Sequence, residues 1–275
     1  MPFFYEKQLE FIRYLHQFST PWLDDIFKFL NYFDRPEFLF VLIPIVWIGY
    51  HWKPGLRLFY ILMLSGIVNI FLKQLIIDPR PFHLDPSVGL IEVEGFGIPS
   101  GAAQTVILLS GILLNSVRKR WAWILCINYV FWISLSRVYL GVHFPSDILG
   151  GWIIGLLLWA LYTYGRPPFE KWLVKLSLLM RFLLSQLIPL LLWAIVPKAS
   201  RLIILTLTVG MGICLAAYFK ILLSIPKNRK IFLFRSLIGV AGTFFFAFIS
   251  ENLWQPFLIG LWLSFGANLV FYRNR

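Results

Sequence analysis

The sequence predicts an all-α protein: a polytopic membrane helix bundle of about nine spans, preceded by two amphipathic helices. Three observations predict it. Of the 275 residues, 59% are hydrophobic and 14% charged, and mean hydropathy is +0.76, whereas a soluble domain runs near half apolar and a quarter charged. Apolar runs near the roughly 20 residues needed to cross a bilayer recur along the chain. The basic residues fall in short groups between those runs. That pattern sets the orientation of a multi-span protein and differs from the single basic patch of a nucleic-acid-binding surface.

Residues 1–37 are expected to form the interfacial part. Phe3, Phe4, Leu9, Phe11, Ile12 and Leu15 alternate with Glu6, Lys7, Glu10 and Arg13 at helical spacing. Trp22, Ile26, Phe27 and Leu30 repeat the pattern beside Asp24, Asp25 and Lys28. Two amphipathic helices lying at the membrane surface satisfy it, and soluble helices packed on the loops are the alternative. The opening MPFFYEKQLEF lacks the basic-then-apolar order of a cleaved signal peptide. Spans are then expected at 38–52, 58–77, 99–117, 121–141 and 144–164, a five-helix core over residues 38–164. A four-span extension over 165–275 follows, at 179–197, 202–219, 231–250 and 257–272.

Sidedness follows from charge. With the C-terminus inside, the inner loops hold Lys53, Arg57, Arg118, Lys119, Arg120, Arg166, Lys171, Lys175, Lys220, Lys227, Arg229, Lys230, Arg273 and Arg275, against one acid, Glu170. Arg181 and Arg235 sit at inner helix ends. Basic loops stay in the cytoplasm, so the N-terminus and the 78–98 loop fall outside. Short loops suggest a bacterial inner membrane, with that face toward the periplasm or exterior.

Cys126 and Cys214 lie in apolar runs and read as small buried hydrophobes. Gly151 and Gly155 form a GxxxG pair, a close-packing signal. The GFG at 95–97 lacks the βαβ setting of a nucleotide fingerprint.

The chemistry gathers at one membrane face. Lys73 ends the second span and Arg80 follows in KQLIIDPRP. Ser100 and Gly101 open the third in IPSGAAQ. Arg137 closes the fourth in SRVYLGVHFPSD, and His143 and Asp147 open the fifth. Ionisable groups beside spanning helices are functional candidates. Three cations at one place imply an anion held between them, and guanidinium pairs well with phosphate. Ser100 can cap a helix whose free N–H groups favour an anion. His143 and Asp147, four apart, share a helix face, and a carboxylate beside a histidine fixes its tautomer.

The order K-x6-RP, PSG, then SR-x5-H-x3-D resembles the three-part signature of the type 2 phosphatidic acid phosphatases, over roughly residues 38–164. The nine-span layout with an outside N-terminus is similar to that of glucose-6-phosphatase, of the same superfamily. The resemblance implies that His143 attacks phosphorus and forms a phosphohistidine, that Asp147 orients His143, and that Lys73, Arg80, Ser100, the Gly101 N–H and Arg137 hold the phosphate oxygens. It implies no metal or other cofactor, a lipid phosphate or diphosphate as substrate and the bilayer as partner.

One position departs from that signature. Its middle motif reads PSGH, and that histidine is the general acid. Here the position is Ala102, and general acid catalysis is worth about 10²–10⁴-fold. Three explanations stay open: an inactivating histidine-to-alanine substitution, a substrate with a good leaving group such as a lipid diphosphate, or a substitute acid, with His83 the candidate and Glu94 behind it. Three functions stay open with them: a hydrolase, a lipid-to-lipid phosphotransferase, and a lipid-phosphate binding or transport protein.

Overall fold

The computed structural model describes residues 3–249 and 252–272, so Arg273 and Arg275 of the charge pattern lie outside the described residues. The described chain is all-helical. Its helices are α1 (Phe3–His16), α2 (Pro21–Leu30), α3 (Pro36–Tyr50), α4 (Trp52–Ile76), α5 (Gly101–Ser116), α6 (Arg120–Tyr139), α7 (Pro145–Val174), α8 (Leu178–Ile195), α9 (Ser200–Tyr218), α10 (Arg229–Ile249) and α11 (Trp254–Tyr272). Among the described residues, seven helical stretches are long and apolar enough to cross a membrane. Two more, α3 and α5, are apolar but shorter. All nine lie where the apolar runs predict them.

The helix ends differ from expectation for local reasons. α4 begins at Trp52, six residues before the predicted 58. Pro54 falls in its first turn, where the N–H lacks an intrahelical partner anyway. α7 runs ten residues past 164, through Pro167 and Pro168. The wider π turn at Leu161–Gly165 precedes them, and such a turn loosens the backbone ladder that proline would otherwise break.

The chain divides into two compact units. The first holds residues through Arg35 together with Val68–Arg166. α1 and α2 bury one face in it. Leu9 and Ile12 join Val88, Ala103, Val138, Phe144 and Ile148 in one core. Phe27 joins Tyr139, Leu140 and Val142 in another. The opposite faces of the two helices leave Phe3, Phe4, Phe11, Trp22, Ile26 and Phe29 exposed. α5 and α7 touch backbone to backbone. A Cβ on Gly151 would stand 2.5 Å from the Ser100 carbonyl oxygen, and one on Gly155 2.6 Å from that of Gln104. The GxxxG pair is therefore a contact between the helices that carry Ser100 and Asp147.

The second unit holds Pro36–Ile67 and the residues from Pro167 on. The first apolar helix thus groups with the C-terminal helices. Glycine at 239 of α10 lets Ile48 of α3 approach to 3.0 Å from where a Cβ would stand, and Trp47 is fully buried against Phe59. Arg57 and Glu170, assigned to the same membrane side, form a bidentate pair at 2.7 and 2.6 Å. In α8 Pro189 is the one buried residue although the helix is mostly apolar, as a lipid-facing span would be.

Candidate active site

The site is built in the first unit where α4, α5, α6 and α7 end. α6 closes at Tyr139, and the chain turns through Leu140–Phe144 into α7. The turn needs Gly141, which has φ +69°, and a Cβ there would strike the Val88 carbonyl. His143 sits in this turn, just before the Phe144 N-cap. It is therefore off the helix, and its contact with Asp147 crosses the helix start instead of running along a helix face. The distance from His143 Nδ1 to Asp147 Oδ2 is 3.2 Å. The same carboxylate oxygen accepts the Phe144 N–H at 2.9 Å. Asp147 is fully buried and His143 nearly so.

The other imidazole nitrogen, Nε2, lies 3.3 Å from Arg80 Nη1. Guanidinium only donates and an ionised carboxylate only accepts. Both contacts are satisfied when Nδ1 carries the proton and Nε2 presents its lone pair. Burial, and then the charges of Lys73, Arg80 and Arg137, push the His143 pKa well below 6.5. The imidazole is therefore held neutral, the form that can act as a nucleophile.

The backbone ties the motif pieces together. The His143 N–H donates to the Arg137 carbonyl at 3.2 Å, and the Ser100 N–H to the Asp147 carbonyl at 3.0 Å. Ser100 is the N-cap of α5, its Oγ accepting the Ala103 N–H at 3.4 Å, with Gly101 the first helical residue. Asn69, one turn before Lys73 on α4, donates to the Pro99 carbonyl and to Gln104 Oε1, each at 3.1 Å.

The cations have partners that composition could not reveal. Lys73 Nζ donates to the Phe96 carbonyl at 2.7 Å. Arg80 is buried and donates to the carbonyls of Gly95, Glu94 and Val142 at 2.8–2.9 Å. Arg137 Nη1 donates to Asn31 Oδ1 at 2.6 Å, and its Nε and Nη2 to Ser136 Oγ at 3.2 and 3.3 Å. The 94–97 loop thus offers carbonyl oxygens to cations that spacing and charge pair with an anion alone. Gly97 lets the loop pass the carboxylate, since a Cβ there would stand 2.9 Å from Asp147 Oδ2.

His83 is exposed on the short helix Pro81–Leu84, and its Nδ1 accepts the Arg80 backbone N–H at 3.2 Å. That bond makes it a cap on its own turn. The Glu94 side chain is exposed too. Ala102 is buried in an apolar cluster with Val106 and Ile133, covered by Leu30, Phe33, Tyr129 and Val130.

The N-terminal helices supply residues that the motifs do not contain. The Tyr5 hydroxyl donates to Asp78 Oδ1, a bond that pushes the Tyr5 pKa up to about 12. Gln8 Oε1 accepts the Ser146 N–H at 2.9 Å at the start of α7, and Asn31 reaches Arg137. The one sequence signal for Asn31 is its spacing from Asp24 and Phe27.

The family model described as the PAP2 superfamily matches residues 54–170. The chain carries a PAP2 superfamily domain. That PAP2 domain contains every motif residue above, from Lys73 to Asp147. Among curated proteins the chain is 30% identical over 139 residues to undecaprenyl-diphosphatase of Sulfolobus acidocaldarius, covering 48% of this chain and 66% of that one. It is 29% identical over 154 residues to phosphatidylglycerophosphatase B of Bacillus subtilis, covering 51% and 74%. Among solved structures, the fold resembles a transmembrane PAP2-type phosphatidylglycerolphosphate phosphatase from Bacillus subtilis, with a TM-score of 0.51 and 24% identity over 64% of this chain and 90% of that one. The chain thus spans 66% and 74% of those two relatives and about half the length of others it matches, such as lipid A 4'-phosphatase of Bacteroides thetaiotaomicron at 53%, and the structural likeness concerns the fold.

Proposed function

We propose that this chain is a phosphatase of the PAP2 kind that removes phosphate from a lipid phosphate or lipid diphosphate at the outer leaflet, through a phosphohistidine on His143. The observation that carries the reading is the imidazole clamped between Asp147 at Nδ1 and Arg80 at Nε2. Nε2 attacks phosphorus. The N–P bond forms as the P–O bond to the leaving group breaks, and the leaving oxygen keeps the electron pair. Water then attacks phosphorus and the pair of the P–N bond returns to Nε2. Asp147 accepts the Nδ1–H bond throughout and stabilises the positive ring. Lys73, Arg80, Arg137, the Ser100 hydroxyl and the Gly101 N–H hold the charge on the phosphoryl oxygens, where stabilisation counts most. The carbonyls of Glu94, Gly95 and Phe96 compete with phosphate for the donors of Lys73 and Arg80.

Ala102 favours a leaving group that departs without protonation. A lipid diphosphate leaves as a phosphate monoester, a far weaker base than an alkoxide. The names of the relatives, a diphosphatase and a phosphatidylglycerophosphatase, support both substrate classes. Charge asymmetry supports the outer face, and the exposed aromatic faces of α1 and α2 support a resting place at the lipid surface.

The test is phosphate release from phosphatidic acid, phosphatidylglycerol phosphate and polyprenyl diphosphate by the chain, His143→Ala and Ala102→His. Turnover of the diphosphate is expected, with a loss of about 10⁴-fold or more in His143→Ala. Ala102→His is expected to speed the monoesters by about 10²-fold, more than the diphosphate. No release from any lipid, by the chain or by Ala102→His, sinks the reading and leaves a binding protein. Phosphorylated alcohol formed when an acceptor is added marks a phosphotransferase.

A further inference from the structure

α7 begins without a cap of its own. Its N-cap is Phe144, whose side chain has no oxygen to accept an N–H, and apolar residues cap poorly. Pro145 follows and has no N–H to satisfy. The Phe144 N–H goes to Asp147 Oδ2 at 2.9 Å. The N–H groups of Asp147 and Ile148 reach the Phe144 carbonyl at 2.9 and 3.3 Å. The Ser146 N–H is met from another helix, where Gln8 Oε1 accepts it at 2.9 Å. A side chain 138 positions away in sequence thus takes the place that serine or aspartate usually fills at the N-cap.

The cap falls beside the nucleophile. Asp147 follows Ser146, and its Oδ2 faces His143 Nδ1 at 3.2 Å. Fraying of the first turn of α7 would carry that oxygen off the imidazole. α1 presents one face to this turn: Tyr5, Gln8, Leu9 and Ile12 stand at i, i+3, i+4 and i+7. The Tyr5 ring packs on Phe144 with centroids 5.2 Å apart. Leu9 and Ile12 share a buried core with Phe144 and Ile148. Further along α1, His16 Nε2 lies 2.7 Å from the Tyr139 carbonyl oxygen. A carbonyl only accepts, so His16 donates there. α1 therefore grips the turn that carries His143 on both sides, at the end of α6 and at the start of α7.

We propose that Gln8 is a positioning residue for the nucleophile: its side-chain oxygen caps α7 from outside and so keeps the Asp147 carboxylate on His143. This rests on the phosphatase reading. It gives α1 a part in the chemistry that lies outside the three motifs.

Gln8→Met, Gln8→Glu and Gln8→Met combined with Asp147→Asn test it. Met matches Gln in length but offers only a weak acceptor, whereas Glu keeps the oxygen and the helix N-terminus favours its charge. The readouts are kcat, KM and the dissociation constant of orthovanadate by titration calorimetry. Vanadate mimics the phosphoryl transition state, so it reports on the site without turnover. Gln8→Met is expected to lower kcat by roughly 10- to 100-fold, as misplaced reacting groups do, and to weaken vanadate by a matching factor. KM is expected to stay within about threefold, since the lost interaction acts in the transition state. Gln8→Glu is expected to recover most of both losses. Beside Asp147→Asn, Gln8→Met is expected to weaken vanadate by less than about threefold, because both changes act on one contact.

The proposal is overturned if Gln8→Met keeps kcat and vanadate binding within about twofold of the parent, or if Gln8→Glu is as impaired as Gln8→Met. A vanadate loss undiminished beside Asp147→Asn overturns it too. A chain that binds vanadate but releases no phosphate from any lipid refutes the phosphatase reading alone, and the vanadate constants of the variants still decide the role of Gln8. A parent chain that neither binds vanadate nor releases phosphate overturns both.

Discussion

His143 shows how far a single residue can be read. Its spacing of four from Asp147 suggests a pair, and the two groups do meet. Spacing does not show that the imidazole is buried, and burial, with the charges of Lys73, Arg80 and Arg137 added, holds its pKa well below 6.5. The sign has two consequences. In the proposed mechanism the neutral imidazole is the nucleophile, and that form persists below pH 6.5, so kcat/KM is expected to stay level from pH 7 down through 6.5 and to fall only in more acidic solution. A pH–rate profile checks this, and an acid limb centred at or above pH 6.5 contradicts it. Stability moves the same way. Below 6.5 the unfolded chain takes up a proton that the folded site refuses, so folding weakens as pH falls. Arg80 shows the limit of residue-scale reading. Its spacing marks it as a cation of the site, but only the fold shows its donors spent on Glu94, Gly95 and Val142.

At the scale of elements, apolar runs locate nine helices and miss some of their ends. Hydropathy reports where a segment prefers lipid, while an end depends on caps, prolines and π turns. The start of α4 at Trp52 and the continuation of α7 to Val174 are such cases. GxxxG is legible as a packing signal, but its partner is not. The fold sets Gly151 against the backbone of Ser100, so the pair fixes how the first turn of α5 meets the helix that carries Asp147. Gly151→Leu is expected to lower the unfolding midpoint by several degrees, since overpacking typically costs about 1–3 kcal/mol. It is expected to lower turnover as well, because Ser100 and Asp147 share a backbone bond. Thermal unfolding and kinetics in detergent measure both, and wild-type values for each would show that the two helices can part without harm.

For the whole molecule, the charge pattern predicts one membrane side for the site. Lys73, Arg80, Ser100, Arg137, His143 and Asp147 gather at one end of the first unit, as alternating spans require. Arg57 and Glu170, assigned to the other side, also meet. Single cysteines at Glu92 and Lys119, with Cys126 and Cys214 replaced, are expected to differ in intact cells. An impermeant maleimide labels the first directly and the second only after permeabilisation. The reverse order would turn the site inward.

Sequence alone determined that the chain is helical and lives in lipid, and it named the motif residues, because these depend on composition and on spacings within single segments. Tertiary structure decided which face of α2 meets Arg137, which loop shares the cations, and that Ala102 lies beneath Leu30 and Phe33. Those contacts join segments tens of residues or more apart. Side-chain packing and backbone approach select them, and no local periodicity encodes them.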